Sequence, residues 1–170
     1  MHGLLALSAA VLATGAFVLD LHRQKVPNIW ILIGWAWGLS YHYGVRGWSG
    51  VLGFCAGAAV PVLGLFPLFL FRMLGPGDIK ILSVLGGLLG CGDVVHLIII
   101  SFLLGGVLSL GLLVSCGMLA SRIRHFADYL KTYLKDRKPR PYYRTGEQAE
   151  NIHFTLPILL GVFLYVGGIY

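Results

Sequence analysis

Charge is scarce in this sequence, and negative charge scarcest: of 170 residues only 12% are charged, and seven are acidic. A soluble domain carries about a quarter charged residues, so this shortage, with 57% hydrophobic residues and a mean hydropathy of +0.81, excludes an ordinary water-soluble fold. Cysteine is equally sparse. Cys55, Cys91 and Cys116 each lie within or beside an apolar stretch and form no CxxC pair, which argues against a disulfide framework or a zinc module. There is no HExxH for a catalytic zinc and no GxSxG nucleophile elbow, and the six histidines have no obvious serine partner at a shared depth. The reading therefore includes no metal and no cofactor. No internal repeat or low-complexity segment appears.

What the chain does have is long, continuous apolar runs. Lipid tolerates only helices and closed barrels, because backbone polar groups must be satisfied internally, and unbroken rather than alternating apolarity favours helices. The expected fold class is an all-α membrane protein with about six transmembrane helices and one cytoplasmic interfacial amphipathic helix, residues 1–170 forming a single integral-membrane domain. The spans fall at about 3–20, 29–44, 50–71, 79–91, 94–120 and 152–170. The apolar region 79–120 is roughly twice the length that about 20 spanning residues require, so two helices must be folded from it. Gly90, Cys91, Gly92 and Asp93 supply the turn, since glycine and an acidic residue are costly in a lipid-facing helix.

The net charge of +6 raises the question of nucleic acid, and the placement of the basic residues answers it. Twelve of the thirteen fall on alternate loops: Arg23 and Lys25, then Arg72 and Lys80, then eight between Arg122 and Arg144. Only Arg46 lies on the other side. Lys and Arg mark the cytoplasmic loops of membrane proteins, so the expectation is a multi-pass protein of the cell inner membrane with both termini outside, partnered by the lipid bilayer and not by nucleic acid. No basic residue precedes the first apolar stretch, whereas Arg23 and Lys25 follow it; that order predicts a retained helix, not a cleaved signal. Within the basic segment 121–150, Ile123, Phe126, Leu130, Tyr133 and Leu134 share one face over 121–138, the pattern of a helix lying on anionic headgroups. Residues 139–150 read as a polar loop.

Of the seven acidic residues only Asp20, Asp78 and Asp93 touch the apolar regions. Each has a plain structural reading: Asp20 as a solvated helix end, Asp78 as an N-cap, Asp93 as an external turn residue. Topology separates them, because Asp20 ends the first span and Asp78 opens the fourth, both on the cytoplasmic side, whereas Asp93 falls opposite. Two carboxylates within a few ångströms do not both ionise cheaply, so one holds a proton while the other serves as base. Such a pair activates water. Gly75, Pro76 and Gly77 make the approach to Asp78 a tight turn that admits a substrate chain closely.

The run Asp20-Leu21-His22-Arg23-Gln24-Lys25-Val26-Pro27-Asn28 resembles the first catalytic segment of type IV prepilin peptidases, and Gly75-Pro76-Gly77-Asp78-Ile79-Lys80 resembles their GxGDxK segment. The tail Ile152 to Ile158, with Gly161 beyond, is similar to the last span of that family. The resemblance implies an aspartyl endopeptidase with Asp20 and Asp78 as catalytic residues, and Gly75, Pro76, Gly77, Lys80, Pro27 and Asn28 shaping the site. It implies cleavage of a short basic leader from a prepilin-like or preflagellin-like substrate at the cytoplasmic face. Bifunctional relatives carry an additional cysteine-rich N-terminal region associated with N-methylation; its absence here implies the short, peptidase-only form. His22 and His153 lie near the site without an expected catalytic role. The competing reading is a non-catalytic six-span transporter or assembly protein that uses Asp20 and Asp78 to bind ions or protons, for which the pair should sit near the midplane.

Overall fold

The computed structural model of the chain describes residues 2–23, 26–70, 74–115 and 154–169, and all of its regular structure there is helical. In chain order the helices are α1 (His2–Arg23), α2 (Asn28–Leu70), α3 (Pro76–Leu89), α4 (Cys91–Ser115) and α5 (Thr155–Val166). Three of them, α1, α2 and α4, contain stretches long and apolar enough to cross a membrane. The chain is thus a multi-pass membrane protein. The amphipathic segment 121–138 and the polar loop 139–150 lie outside the described residues.

Two glycines divide the helices. In α2, Gly47 takes φ 61°, ψ −142°, a conformation that side chains with a Cβ rarely adopt. The chain doubles back there: a Cβ on Gly50 would meet the His42 carbonyl oxygen, and Phe54 packs against Gly38, Trp35 and His42, with ring centroids 5.3 Å from Trp35 and 5.8 Å from His42. The 43-residue helix is therefore a hairpin of two antiparallel arms, which meets the expectation of a break between residues 44 and 50. The second glycine, Gly90 at φ 97°, ends α3, and α4 starts at the next residue. That is the turn expected inside the long apolar region.

The chain forms two compact units. The larger comprises Met1–Gly105 and His153–Tyr170; the smaller is Gly106–Ile152, whose described part is the end of α4. In the larger unit α3 is central. Every residue from Ile81 to Leu88 is buried, and α3 packs chiefly against α2 and also against α1. Lipid tails are as apolar as leucine, so helices in a membrane associate through close packing at small residues rather than by escaping water. Here Gly34 and Gly38 from one arm of α2, and Gly57 from the other, lie against Val84, Leu88 and Gly86 of α3. Ser83 adds a bond across the same contact, its hydroxyl donating to the Ala58 carbonyl at 3.0 Å. Apolar side chains on the outside, such as Leu52 and Leu63, at 70% and 74% exposed, are the surface left for lipid.

α1 runs antiparallel to α3. Val26, just beyond α1, approaches Gly77 at the start of α3, while Leu5 near the other end of α1 shares a cavity with Gly87–Gly90. This sets up two ends of the bundle. One holds the end of α1, the starts of α2 and α3, and the start of α5. The other holds the Gly47 reversal, Gly90 and Asp93, with Tyr41, Tyr43 and Trp48 grouped as aromatic side chains group at a membrane–water boundary.

Candidate active site at one end of the bundle

Asp20 lies in the last turn of α1 and Asp78 in the first turn of α3, both half-buried. Leu12 and Val84 share a layer, since both lie against Gly34. From that layer Asp20 is about 12 Å along α1 and Asp78 about 9 Å back along α3, at roughly 1.5 Å per residue. Because the two helices are antiparallel, both displacements point to the same end. Asp93 lies at the other end, in the first turn of α4, where its carboxylate accepts a hydrogen bond from the Tyr165 hydroxyl at 2.7 Å. It stands apart from the other two, as its position in the sequence implied, but as a tie to α5 and not merely as a turn residue.

The local sequence explains how Asp78 is presented. Pro76 occupies the first helical turn, where its missing N–H costs nothing and its fixed φ suits a helix start. The helix therefore begins earlier than residue 79, and the N-cap is Gly75, without a side-chain cap bond. Asp78 is then not the cap but a residue of the first turn, close enough to Gly75 that a Cβ there would lie 3.1 Å from Oδ2. Beside it, Lys80 is exposed and donates from Nζ to Oδ1 of Asn28 at 2.9 Å, joining the segment after α1 to the first turn of α3. Pro27 precedes Asn28 and its carbonyl accepts from the Trp30 N–H at 3.0 Å, which starts α2.

Trp30 also fixes α1. Its indole Nε1 donates to the Leu12 carbonyl at 3.0 Å, and its ring lies on Gly15. Asp20 has a partner that nothing in the sequence singled out: Thr155, at the start of α5, donates from Oγ1 to Oδ2 at 2.8 Å. The two are 135 positions apart. The residues expected from the sequence to form a site, Asp20, Pro27, Asn28, Gly75, Pro76, Gly77, Asp78 and Lys80, therefore gather at one end of three helices, with Thr155 from α5 beside Asp20. Arg23, Gln24 and Lys25 have side chains outside the described set, as does His153.

Residues 6–110 match the family model described as the type IV leader peptidase family. The chain belongs to that family. The match takes in both aspartate-bearing segments and α1 to α3 entire but for the first residues of α1, and stops before α5. Comparison with curated proteins and with solved structures returned no match. Membership of the type IV leader peptidase family implies an aspartic-type peptidase acting on prepilin-like substrates. A cavity of about 360 Å³ lies at the opposite end, lined by Leu5, Tyr41, His42, Arg46, Leu89 and Cys91 among others, so it is separate from Asp20 and Asp78. Among the described residues no cluster of three or more His, Cys, Asp or Glu is placed to hold a metal.

Proposed function

We propose that this protein is a membrane aspartyl endopeptidase that removes the basic leader of a prepilin-like or preflagellin-like substrate at the cytoplasmic face, with Asp20 and Asp78 as its catalytic pair. The observation that carries the reading is the convergence of the Asp20 and Asp78 segments at one end of antiparallel α1 and α3, within a chain of this family. In the reaction one aspartate takes a proton from water as the water attacks the scissile carbonyl. The other gives a proton to the carbonyl oxygen or the departing amine. Lys80, Asn28, Pro27 and the turn Gly75, Pro76 and Gly77 hold the two segments and shape the approach.

The short length of α3 favours peptide chemistry at the edge of the membrane. Its 14 residues rise about 21 Å, less than the hydrocarbon thickness of about 30 Å. At least one end is thus recessed where protein, not lipid, surrounds it. A leader joined to an apolar pilin helix presents its cleavage site at such a depth. An ion-conducting pair would be expected near the midplane with routes to both sides; these two carboxylates sit at helix ends on one side. Incubation of the detergent-solubilised protein with a prepilin should yield a shorter product. An unchanged substrate would favour the competing transporter reading instead.

The same proposal covers topology, with residues 1–170 as one peptidase domain and six crossings: α1, the two arms of α2, α3, α4 and α5. Arg23 and Lys131 are expected to face the cytoplasm and Arg46 the exterior of the inner membrane. Single cysteines at these positions, labelled with an impermeant reagent in intact cells, should react only at position 46. Reaction at 46 solely after the cytoplasm is opened would remove the six-crossing arrangement.

Cleavage without methylation is a further part of the reading. A pilin matured by this protein with S-adenosylmethionine present should carry a free amino terminus by mass spectrometry. An N-methyl group would place that second activity in this chain.

A further inference from the structure

We propose that Thr155 is a positioning residue for Asp20, holding the carboxylate in one orientation across the α1–α5 contact. The inference rests on the catalytic reading of Asp20 given above. An aspartate at a helix end turns about two side-chain bonds, and Asp20 is only half-buried. The Thr155 hydroxyl, donating to Oδ2 at 2.8 Å, ties one oxygen of that carboxylate to α5.

A group that orients another must itself be held, and Thr155 is. It is 3% exposed, and its branched Cβ restricts the first side-chain torsion. The residues on either side are anchored as well. Phe154 packs at a tilt against Phe102 with ring centroids 5.0 Å apart, and Pro157 and Ile158 are buried. The hydroxyls of Ser8, Thr14 and Ser49 turn back to carbonyls three or four residues earlier in the chain, whereas those of Ser83 and Tyr165, like that of Thr155, reach another helix. The acceptor of Thr155 is a carboxylate. α1 and α5 already pack on each other through apolar side chains, so this one bond is not what joins them, and its removal should tell on rate more than on stability. The last span would thus contribute to the site directly, although the family match ends before it.

The test compares kcat, KM and unfolding temperature for the full chain in detergent, with a prepilin substrate, in wild type, Thr155→Val, Thr155→Ser and Asp20→Asn. Valine keeps the shape of threonine and removes the hydroxyl. Misplacing a reacting group costs up to about 10²-fold in rate, so Thr155→Val should lower kcat by about 10-fold to 10²-fold with KM and unfolding temperature near wild type. Thr155→Ser, which keeps the hydroxyl, should recover most of the rate. A wild-type kcat for Thr155→Val, a serine variant as slow as the valine one, or a loss of kcat that only tracks loss of folded protein would each overturn the proposal. Asp20→Asn separates the two layers. Full cleavage by Asp20→Asn overturns the catalytic pair and Thr155 with it, whereas an inactive Asp20→Asn beside a fully active Thr155→Val overturns the role of Thr155 alone.

Discussion

Asp20→Asn and Asp78→Asn should each abolish leader cleavage while the protein still inserts and folds. Asparagine keeps the size of aspartate and an oxygen that accepts hydrogen bonds, so the Thr155 contact to position 20 has an acceptor in the variant. What asparagine lacks is the capacity to take up a proton as a base or release one as an acid. Loss of a general acid or base removes about 10² to 10⁴-fold of rate, and members of a cooperating pair can cost more because they act as a unit. Asp93→Asn is the matched control. It sits at the other end of the bundle, bonded to Tyr165, and should leave cleavage nearly unchanged. Rates measured in membranes, with unfolding temperature in detergent to establish folding, decide the matter; substantial cleavage by a folded variant at either position 20 or 78 would rule out the pair.

The second large effect is expected at a position far from any chemistry. Gly57→Leu should prevent stable folding, because a Cβ at Gly57 meets the carbonyl oxygen of Gly86, and the reverse contact holds at Gly86 against Gly57. Backbone lies on backbone there, so no side-chain rotation relieves the clash. Overpacking usually costs about 1–3 kcal/mol when side chains can give way; here the arm of α2 must separate from α3, the helix that carries Asp78. Gly64→Leu, where nothing lies within 4 Å of the added Cβ, should be tolerated. The yield of folded protein and its unfolding temperature are the readouts. A Gly57→Leu variant as stable as wild type would mean that the two helices do not approach as closely as described.

These predictions draw unequally on sequence and structure. Gly90 was legible as a break because an apolar region of that length has to be folded in two, and glycine beside an acidic residue marks where. The reversal at Gly47 was legible as a gap between apolar runs, although the chain turns in a single residue rather than over a loop. The start of α3 was less so: apolarity begins at Ile79, but Pro76 opens the helix, which moves Asp78 from the cap into the first turn. The separation of Asp93 from Asp20 and Asp78 followed from counting basic residues in loops, and the structure sets it at the opposite end. The interfacial helix expected at 121–138 lies outside the described residues.

By itself, the sequence determined that the chain is helical and membrane-embedded and where its long apolar runs break, and it singled out two aspartates in segments that resemble those of leader peptidases. Composition and run length carry that information because lipid demands unbroken apolar helices and makes each ionisable residue conspicuous. Tertiary structure alone decided which helix is central and which polar groups meet. From Ile81 to Leu89 α3 is apolar on nearly every side, and so would a lipid-facing helix be; only its packing against both arms of α2 and against α1 distinguishes the two. Likewise Thr155 with Asp20, Lys80 with Asn28 and Tyr165 with Asp93 are pairs separated by 135, 52 and 72 positions. Helical periodicity tells which residues share a face, but a hydrogen bond between helices depends on how those helices are set against each other, and close packing sets them, at Gly34, Gly57 and Gly86 for α2 on α3 and at Gly161 against Leu97 for α5 on α4.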